Sequence, residues 1–161
     1  MGTELQKTAK KLSNAFIRGK LISPINRKFC NSSKQANILR SLCEEQIKSE
    51  IVGFKAGGTA KAMLKKWGEK EPFFASIYKK NLLKSNSRVK INKYNLGIEL
   101  EVFFYLKKSI LLSKNKMTEK NIGKYIISMG PCIEVVGYRQ KKRGLKTLGD
   151  LISDFGANVK F

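Results

Sequence analysis

The pattern that decides the fold lies in Gly97-Ile98-Glu99-Leu100-Glu101-Val102-Phe103-Phe104-Tyr105-Leu106. Side chains alternate between the two faces of a β-strand, so this spacing predicts a strand with both glutamates on one face. The apolar side chains of the opposite face are Ile98, Leu100, Val102 and Phe104. The Cα atoms of Glu99 and Glu101 are then about 6.5–7 Å apart, where two carboxylates in a half-buried site repel each other. A divalent cation bound between them removes this repulsion.

A third acidic residue, Glu134, lies in a second strand-like run at residues 132–138. The chain has only 12 acidic residues against 33 lysines and arginines, so a glutamate between Ile133 and Val135 is unusual. Three carboxylates on neighbouring strands form a facial set that suits Mg²⁺ or Mn²⁺ and leaves positions for substrate and water. The alternative is an amphipathic strand whose solvated glutamates pair with lysines.

Length and composition limit the classes of protein and of chemistry. The 161 residues fit one domain, and an apolar content of 42% is enough for a hydrophobic core. The chain has no histidine, which excludes Ser-His and Cys-His nucleophile pairs and His-ligated zinc. The three cysteines form no C-x-x-C pattern, so we expect free thiols and a cytoplasmic location. No apolar run approaches the ~18 residues of a membrane span, so no membrane partner is expected.

The formal net charge of +21 admits a second class of function, nucleic-acid binding. Two features weaken that interpretation. The basic residues are 27 lysines and only 6 arginines, whereas base readout and bidentate phosphate contacts favour arginine. They are also spread along the whole chain instead of clustering in one arm, so nucleic acid stays an unfavoured alternative partner.

Apolar periodicity predicts helices at residues 3–18, 32–47 and 60–67. Ser32 and Gln35 have the capping-box spacing that opens the second helix, and Thr59 is the expected N-cap of the third. Gly19 and Gly68 are placed to end the first and third helices.

The predicted strands lie at residues 51–56, 88–91, 97–106 and 132–138, with a loop or strand at 72–77. Thr118 is expected to cap a helix that extends through Met129, and Gly130 and Pro131 are expected to break it. A polar connection is predicted at 107–116 and a basic turn at 139–146. Helices first and strands later indicate an α+β domain.

Five motifs, in this order, resemble the 2-oxopent-4-enoate hydratase and 4-oxalocrotonate decarboxylase family of the fumarylacetoacetate hydrolase superfamily. They are Val52-Gly53-Phe54-Lys55-Ala56-Gly57-Gly58-Thr59, Trp67-Gly68-Glu69-Lys70-Glu71-Pro72-Phe73-Phe74, Ile98-Glu99-Leu100-Glu101, Ile133-Glu134-Val135-Val136-Gly137-Tyr138-Arg139, and Asp154. The resemblance implies N-terminal helices followed by a mixed β-sheet or β-roll of the fumarylacetoacetate hydrolase type. It implies one hydratase-like domain over 1–161, with a helical lead-in at 1–50 and a partial catalytic β-rich core at 51–161.

The same resemblance implies a function and a set of site residues. The function is that of a divalent-metal-dependent lyase, a hydratase or a decarboxylase, acting on short 2-oxo or 2-hydroxy-dienoate acids such as 2-hydroxypenta-2,4-dienoate in aromatic catabolism. Glu99, Glu101 and Glu134 fall on the family's metal ligands, with Mg²⁺ or Mn²⁺ as the cofactor. Lys55 falls on its active-site lysine and Asp154 on a further catalytic position, although a cap or turn role for Asp154 stays open. The surplus of lysine would steer a small anionic substrate inward.

The chain departs from the family pattern in three places. Phe73 follows Pro72 where many members have aspartate, and the stretch after Asp154 lacks a serine often found there. The resemblance also lacks the family's C-terminal part, so the fold is expected to be incomplete at that end. An exposed sheet edge then predicts pairing with other chains, and a homo-oligomer is expected. Two alternatives follow, a catalytically silent truncated member and a subunit completed by a partner.

Overall fold

The computed structural model describes residues 2–90, 95–107, 117–141 and 147–161, with the backbone alone at residues 95 and 96. Its helices are α1 (Glu4–Arg18), α2 (Ser33–Glu44), α3 (Lys61–Trp67) and α4 (Leu148–Ser153). Its strands are β1 (Ile51–Gly57), β2 (Phe73–Tyr78), β3 (Asn95–Leu106), β4 (Ile126–Gly137) and β5 (Asn158–Lys160). The predicted α+β class is confirmed.

Local capping chemistry fixes the first helix. The Thr3 side chain accepts a hydrogen bond from the Gln6 amide and the Gln6 side chain reaches back to Thr3, which makes a capping box. Gly19 ends α1 in the left-handed conformation at φ 59°, which glycine adopts without a steric penalty. The buried side of α1 carries Leu12 and Phe16 into the main core, as its apolar periodicity predicts.

The second helix begins as predicted and ends earlier than predicted. The Ser32 side chain accepts a hydrogen bond from the Gln35 amide, and α2 packs against the core through its apolar face. It ends at Glu44, and Ile47 is buried in the turn that follows instead of in the helix. The expected extent to residue 47 is therefore wrong by about one turn, because burial of Ile47 does not require helical backbone.

The third helix connects two paired strands. β1 and β2 are antiparallel, with Lys55 opposite Ala75 and Gly57 opposite Phe73. The N-cap of α3 is Ala60, which makes no side-chain capping bond, so the prediction of Thr59 is wrong. Gly68 ends the helix at φ 70°, as predicted. The segment after Pro72, left open as a loop or strand, is a strand.

The second sheet has the strand order β3-β4-β5, and both pairings are antiparallel. Parallel pairing among the described residues is confined to one bridge between Ile22 and Gln140. In the β3–β4 register Glu99 lies opposite Glu134, and Glu101 lies opposite Cys132. This register decides which side chains share a face.

The predicted helix from Thr118 to Met129 is wrong. A short 3₁₀ helix occupies Ile122–Tyr125, and β4 begins at Ile126 because Ile126 and Met129 pair with β3. Strand pairing here overrides a helix-like spacing of apolar residues.

Gly130 and Pro131 lie within β4 and do not break it. Pro131 lies opposite Val102, and β5 pairs with β4 only at Val135 and Val136. Within the described ranges, β4 therefore has one neighbouring strand at Pro131, which a proline without an N–H tolerates.

Two further predictions concern the connections. Residues 88–90 are not a strand, so that prediction is wrong there, and Ile91 lies outside the described residues. The polar connection and the basic turn fall mostly on 108–116 and 142–146, which also lie outside them. Among the described residues, no helix combines the length and apolar character that crossing a membrane requires.

The C-terminal segment closes the core. Thr147 and Asp150 form a capping box at the start of α4, and Ile152 and Phe155 are buried. The Phe155 ring lies 4.3 Å from the Phe16 ring between centroids, which joins this segment to α1. The first turn of α4 packs closely against the backbone at Cys30, since a Cβ on Gly149 would lie 1.9 Å from the Cys30 carbonyl oxygen.

One face of the β3–β4 pair is apolar and exposed. The register puts Leu100 opposite Ile133 and Phe104 opposite Met129, so these side chains share a face. Leu100 is 83% exposed, and the others are each more than half exposed. The residues of this apolar face are Ile98, Leu100, Val102, Phe104, Met129 and Ile133. The alternation predicted from the sequence therefore exists, but its apolar side is not covered by the described residues.

Candidate metal centre

The face of the β3–β4 pair opposite the apolar face carries three glutamates. Glu99 and Glu134 are cross-strand partners, and Glu101 is two residues further along β3. One carboxylate oxygen from each of the three lies within 4.8 Å of the others. The structure therefore brings together the three residues that were predicted as metal ligands.

Lys55 approaches this cluster from the other sheet. Its Nζ donates a hydrogen bond to Glu134 Oε2 at 2.5 Å and lies 3.4 Å from the Gly156 carbonyl oxygen. The Lys55 side chain is 10% exposed and the Glu134 side chain is fully buried. The chain thus places an ammonium group against the innermost carboxylate of the cluster.

No residue that the structure describes gives the other oxygen of Glu134 a hydrogen bond. Glu134 Oε1 is buried and unpaired, which is costly for a carboxylate. Burial raises the pKa of Glu134 to about 7; Lys55 opposes this rise, and the charges of Glu99 and Glu101 add to it. Glu134 therefore takes up a proton nearer to neutral pH than an exposed glutamate does.

A divalent metal ion fits these residues. The donor set consists of three carboxylates, which are the ligands that hard cations such as Mg²⁺, Mn²⁺ and Ca²⁺ prefer. A cation would pair the orphaned Glu134 Oε1 and offset the burial and the neighbouring negative charges that raise the pKa of Glu134. Exposure decreases from Glu99 through Glu101 to Glu134, so the cluster opens towards solvent on one side.

Asp154 occupies a different environment. Its Oδ2 accepts a 2.7 Å hydrogen bond from the Arg139 amide, and Arg139 Nη1 lies 3.3 Å from its Oδ1. Both side chains are buried, and Arg139 also donates to the Asn158 carbonyl oxygen. Burial raises the pKa of Asp154 to about 6, against the opposing charge of Arg139. Asp154 is thus engaged with Arg139 and does not join the three glutamates.

Three participants were not singled out from the sequence. Arg139 is the buried partner of Asp154, and the Gly156 carbonyl oxygen helps to hold Lys55. Cys132 lies opposite Glu101, so it is on the same face as the three carboxylates. Burial raises the pKa of its thiol, and the charges of the nearby glutamates raise it further. Strand alternation gives a signal for Cys132, which is two residues from Glu134. No sequence spacing identifies the other two contacts, which are tertiary.

Comparison with known proteins identifies solved structures with a similar fold. The sequence matches no protein-family model and no curated protein. Among solved structures, it is similar to 4-oxalocrotonate decarboxylase from Pseudomonas putida G7 complexed with magnesium and adipate, with a TM-score of 0.77 and 18% identity. The structure of that enzyme complexed with calcium and acetate gives a TM-score of 0.76, also at 18% identity.

These comparisons define a fold. Each covers 99% of this chain and 62% of the decarboxylase chain. The chain therefore has the α+β fold of the part of that enzyme to which it aligns, which is 62% of the enzyme's chain. The two decarboxylase structures are complexed with magnesium and with calcium, respectively. Membership of the hydratase and decarboxylase family stays a prediction.

Proposed function

We propose that this chain is a divalent-metal-dependent lyase acting on short 2-oxo or 2-hydroxy-dienoate acids such as 2-hydroxypenta-2,4-dienoate. The observation that supports it most is the convergence of oxygens from Glu99, Glu101 and Glu134 within 4.8 Å, beside a buried lysine. The resemblance in sequence motifs and the decarboxylase fold add independent support. Hydration is the proposed reaction, with decarboxylation as the alternative chemistry.

The three glutamates would hold the ion, for which we propose Mg²⁺ or Mn²⁺. When bound, it supplies Lewis acidity to the oxygens of an anionic substrate. The arrangement favours a substrate that enters from the exposed side, near Glu99, because Glu134 closes the other side. The net charge of +21 would attract such an anion.

Lys55 is the proposed proton-transfer or carboxylate-binding group. Its Nζ is held by Glu134 and by the Gly156 carbonyl oxygen, so its position is fixed before substrate arrives. The Lys55 ammonium also lies beside Glu134, a carboxylate that would bind the ion. If Glu134 turned from Lys55 to the ion, one N–H group of Lys55 would become free to bind a substrate carboxylate.

For Asp154 a catalytic role would require its carboxylate to leave Arg139. We therefore propose that it acts as a positioning residue. The pair with Arg139 fixes the start of the 3₁₀ helix Phe155–Ala157, which contains the Gly156 carbonyl oxygen that holds Lys55. Asp154 would thereby act on Lys55 through the backbone.

The apolar face supports an assembled state, and we propose a homo-oligomer. Its six large apolar side chains are exposed next to one another and not singly, and contiguous apolar faces of this kind mark interaction sites. The same face favours a second candidate, a subunit whose exposed apolar side chains are covered by a different partner chain. Size-exclusion chromatography with light scattering separates these proposals from a monomer, and a stable monomer would contradict both. We further propose a cytoplasmic location, in line with three free cysteines.

Turnover of candidate substrates tests the proposed activity. Purified protein is incubated with 2-hydroxypenta-2,4-dienoate and with 4-oxalocrotonate, with Mg²⁺, with Mn²⁺ and with a chelator. We expect consumption that depends on the ion and that Lys55→Met abolishes, while Lys61→Met on α3 leaves it unchanged. Metal-replete wild-type protein that consumes neither acid would contradict the lyase proposal.

A further inference from the structure

A second concave site lies away from the three glutamates. A pocket of about 380 Å³ opens between the end of α1, the turn after β2 and strand β5. This volume falls in the range of small-ligand sites, roughly 300–1,000 Å³. Five basic residues line it, Arg18, Lys20, Lys80, Arg139 and Lys160, and none of its described lining residues is acidic.

The lining has four cations besides Arg139: Arg18, Lys20, Lys80 and Lys160. None of them makes an ion pair with an acid in the described parts of the chain. A fifth cation of the lining, Arg139, is already paired with Asp154, so it is not available to a ligand. The pocket therefore concentrates positive charge that the protein does not neutralise.

Two of these lysines make contacts with the wall of the pocket. Lys160 Nζ donates a 3.0 Å hydrogen bond to the Lys80 carbonyl oxygen, and Lys80 Nζ lies 5.2 Å from the centre of the Phe16 ring. Burial lowers the pKa of Lys80, and the charge of Lys160 lowers it further. The two positive charges thus disfavour each other on a partly apolar wall, and an anion bound in the pocket would offset this effect.

We propose that this pocket binds a small multivalent oxyanion of the phosphate or phosphate-ester class, held between Lys80 and Lys160 with Arg18 and Lys20 at its rim. Lysine binds phosphate as a compact point charge, and an arginine adds a donor fork for a second oxygen. A dianion can pair with two of the lining cations at once, whereas a monocarboxylate carries only one charge. The site shares no residue with the metal centre and does not depend on the proposed lyase activity.

Calorimetric titration with inorganic pyrophosphate and with inorganic phosphate tests this site, at constant ionic strength. We expect one pyrophosphate per wild-type chain. The double variant Arg18→Gln/Lys80→Gln should bind it about tenfold more weakly or worse, the loss expected when a charge-assisted contact is removed. The control Lys61→Gln/Lys65→Gln removes the same charge from exposed positions on α3 and should change binding less than about twofold. Equal losses in the two variants, or no binding by wild-type protein, would overturn the proposal.

Amide chemical shifts supply a second readout that needs no variant. Pyrophosphate should move the amide signals of Gly19, Lys80 and Val159, which surround the pocket, and leave those of α3 in place. Shifts spread evenly over the lysine-bearing surface would show diffuse attraction by the net charge and would overturn the assignment.

Discussion

Replacement of Lys55 by methionine removes the ammonium group beside Glu134 and keeps most of the apolar stem. In the metal-free protein the pKa of Glu134 is about 7, and Lys55 holds it down through a hydrogen bond and through its charge. Loss of Lys55 therefore moves this pKa further up. At pH values between the Glu134 pKa of the wild type and that of the variant, the folded variant carries one proton more than the folded wild-type protein.

The expected loss of stability depends on pH. Because the extra proton is bound only in the folded variant, its stability relative to wild type falls by about 1.4 kcal/mol per pH unit above pH 7. At pH 6 Glu134 is mostly protonated in both proteins, and the loss is about 1.5–3 kcal/mol, as for a hydrogen bond in which one partner is charged. Towards pH 8 the loss grows in the direction of the ~3–5 kcal/mol expected for a broken buried pair.

Urea unfolding at pH 6, 7 and 8, with a chelator present, measures this difference. The matched control is Lys79→Met, which breaks a 2.9 Å pair with Glu50 whose two side chains are 72% and 63% exposed. That surface pair is worth about 0–1 kcal/mol, and its loss should be the same at each pH. A Lys55→Met loss that is equal at pH 6 and pH 8, or larger at pH 6, would refute the reasoning.

Three further predictions follow from individual contacts. Because Glu134 must lose its proton to bind an ion, affinity for Mn²⁺ should rise about tenfold from pH 6 to pH 8 by calorimetry, and a flat profile would contradict this. Asp154→Asn leaves Arg139 buried without its counterion and should cost about 3–5 kcal/mol in urea unfolding, whereas a loss under about 1 kcal/mol would show that the pair is dispensable. Gly149→Ala forces a Cβ against the Cys30 carbonyl oxygen and should cost about 1–3 kcal/mol, so an unchanged melting temperature would contradict the close packing there.

The sequence predicts those parts of the fold that local chemistry determines. Capping side chains at Thr3 and Ser32 and the left-handed Gly19 set helix ends through contacts within a few residues. Alternation in β3 correctly groups Glu99 with Glu101 on one face. Helix ends and strand faces depend on neighbours in the chain, so they can be read without the tertiary structure.

What the sequence could not predict depends on distant partners. The helix predicted through Met129 is a strand because β3 is available to pair with it, and Pro131 is tolerated because β5 pairs only further along β4. Asp154 finds Arg139 fifteen residues away, and no local pattern specifies that pair. The exposure of Leu100 likewise depends on what packs against the sheet, which alternation alone does not encode.

Titration of Mn²⁺ into the metal-free protein at pH 8 tests the central claim that three glutamates share one divalent ion. The wild-type chain should bind one ion and gain stability, by about 2.7 kcal/mol when free Mn²⁺ is one hundred times its Kd. Glu101→Gln should abolish both effects, and Glu119→Gln, an exposed acid outside the cluster, should keep them. Wild-type protein that binds no ion, or a Glu101→Gln variant that binds as well as wild type, would contradict the claim.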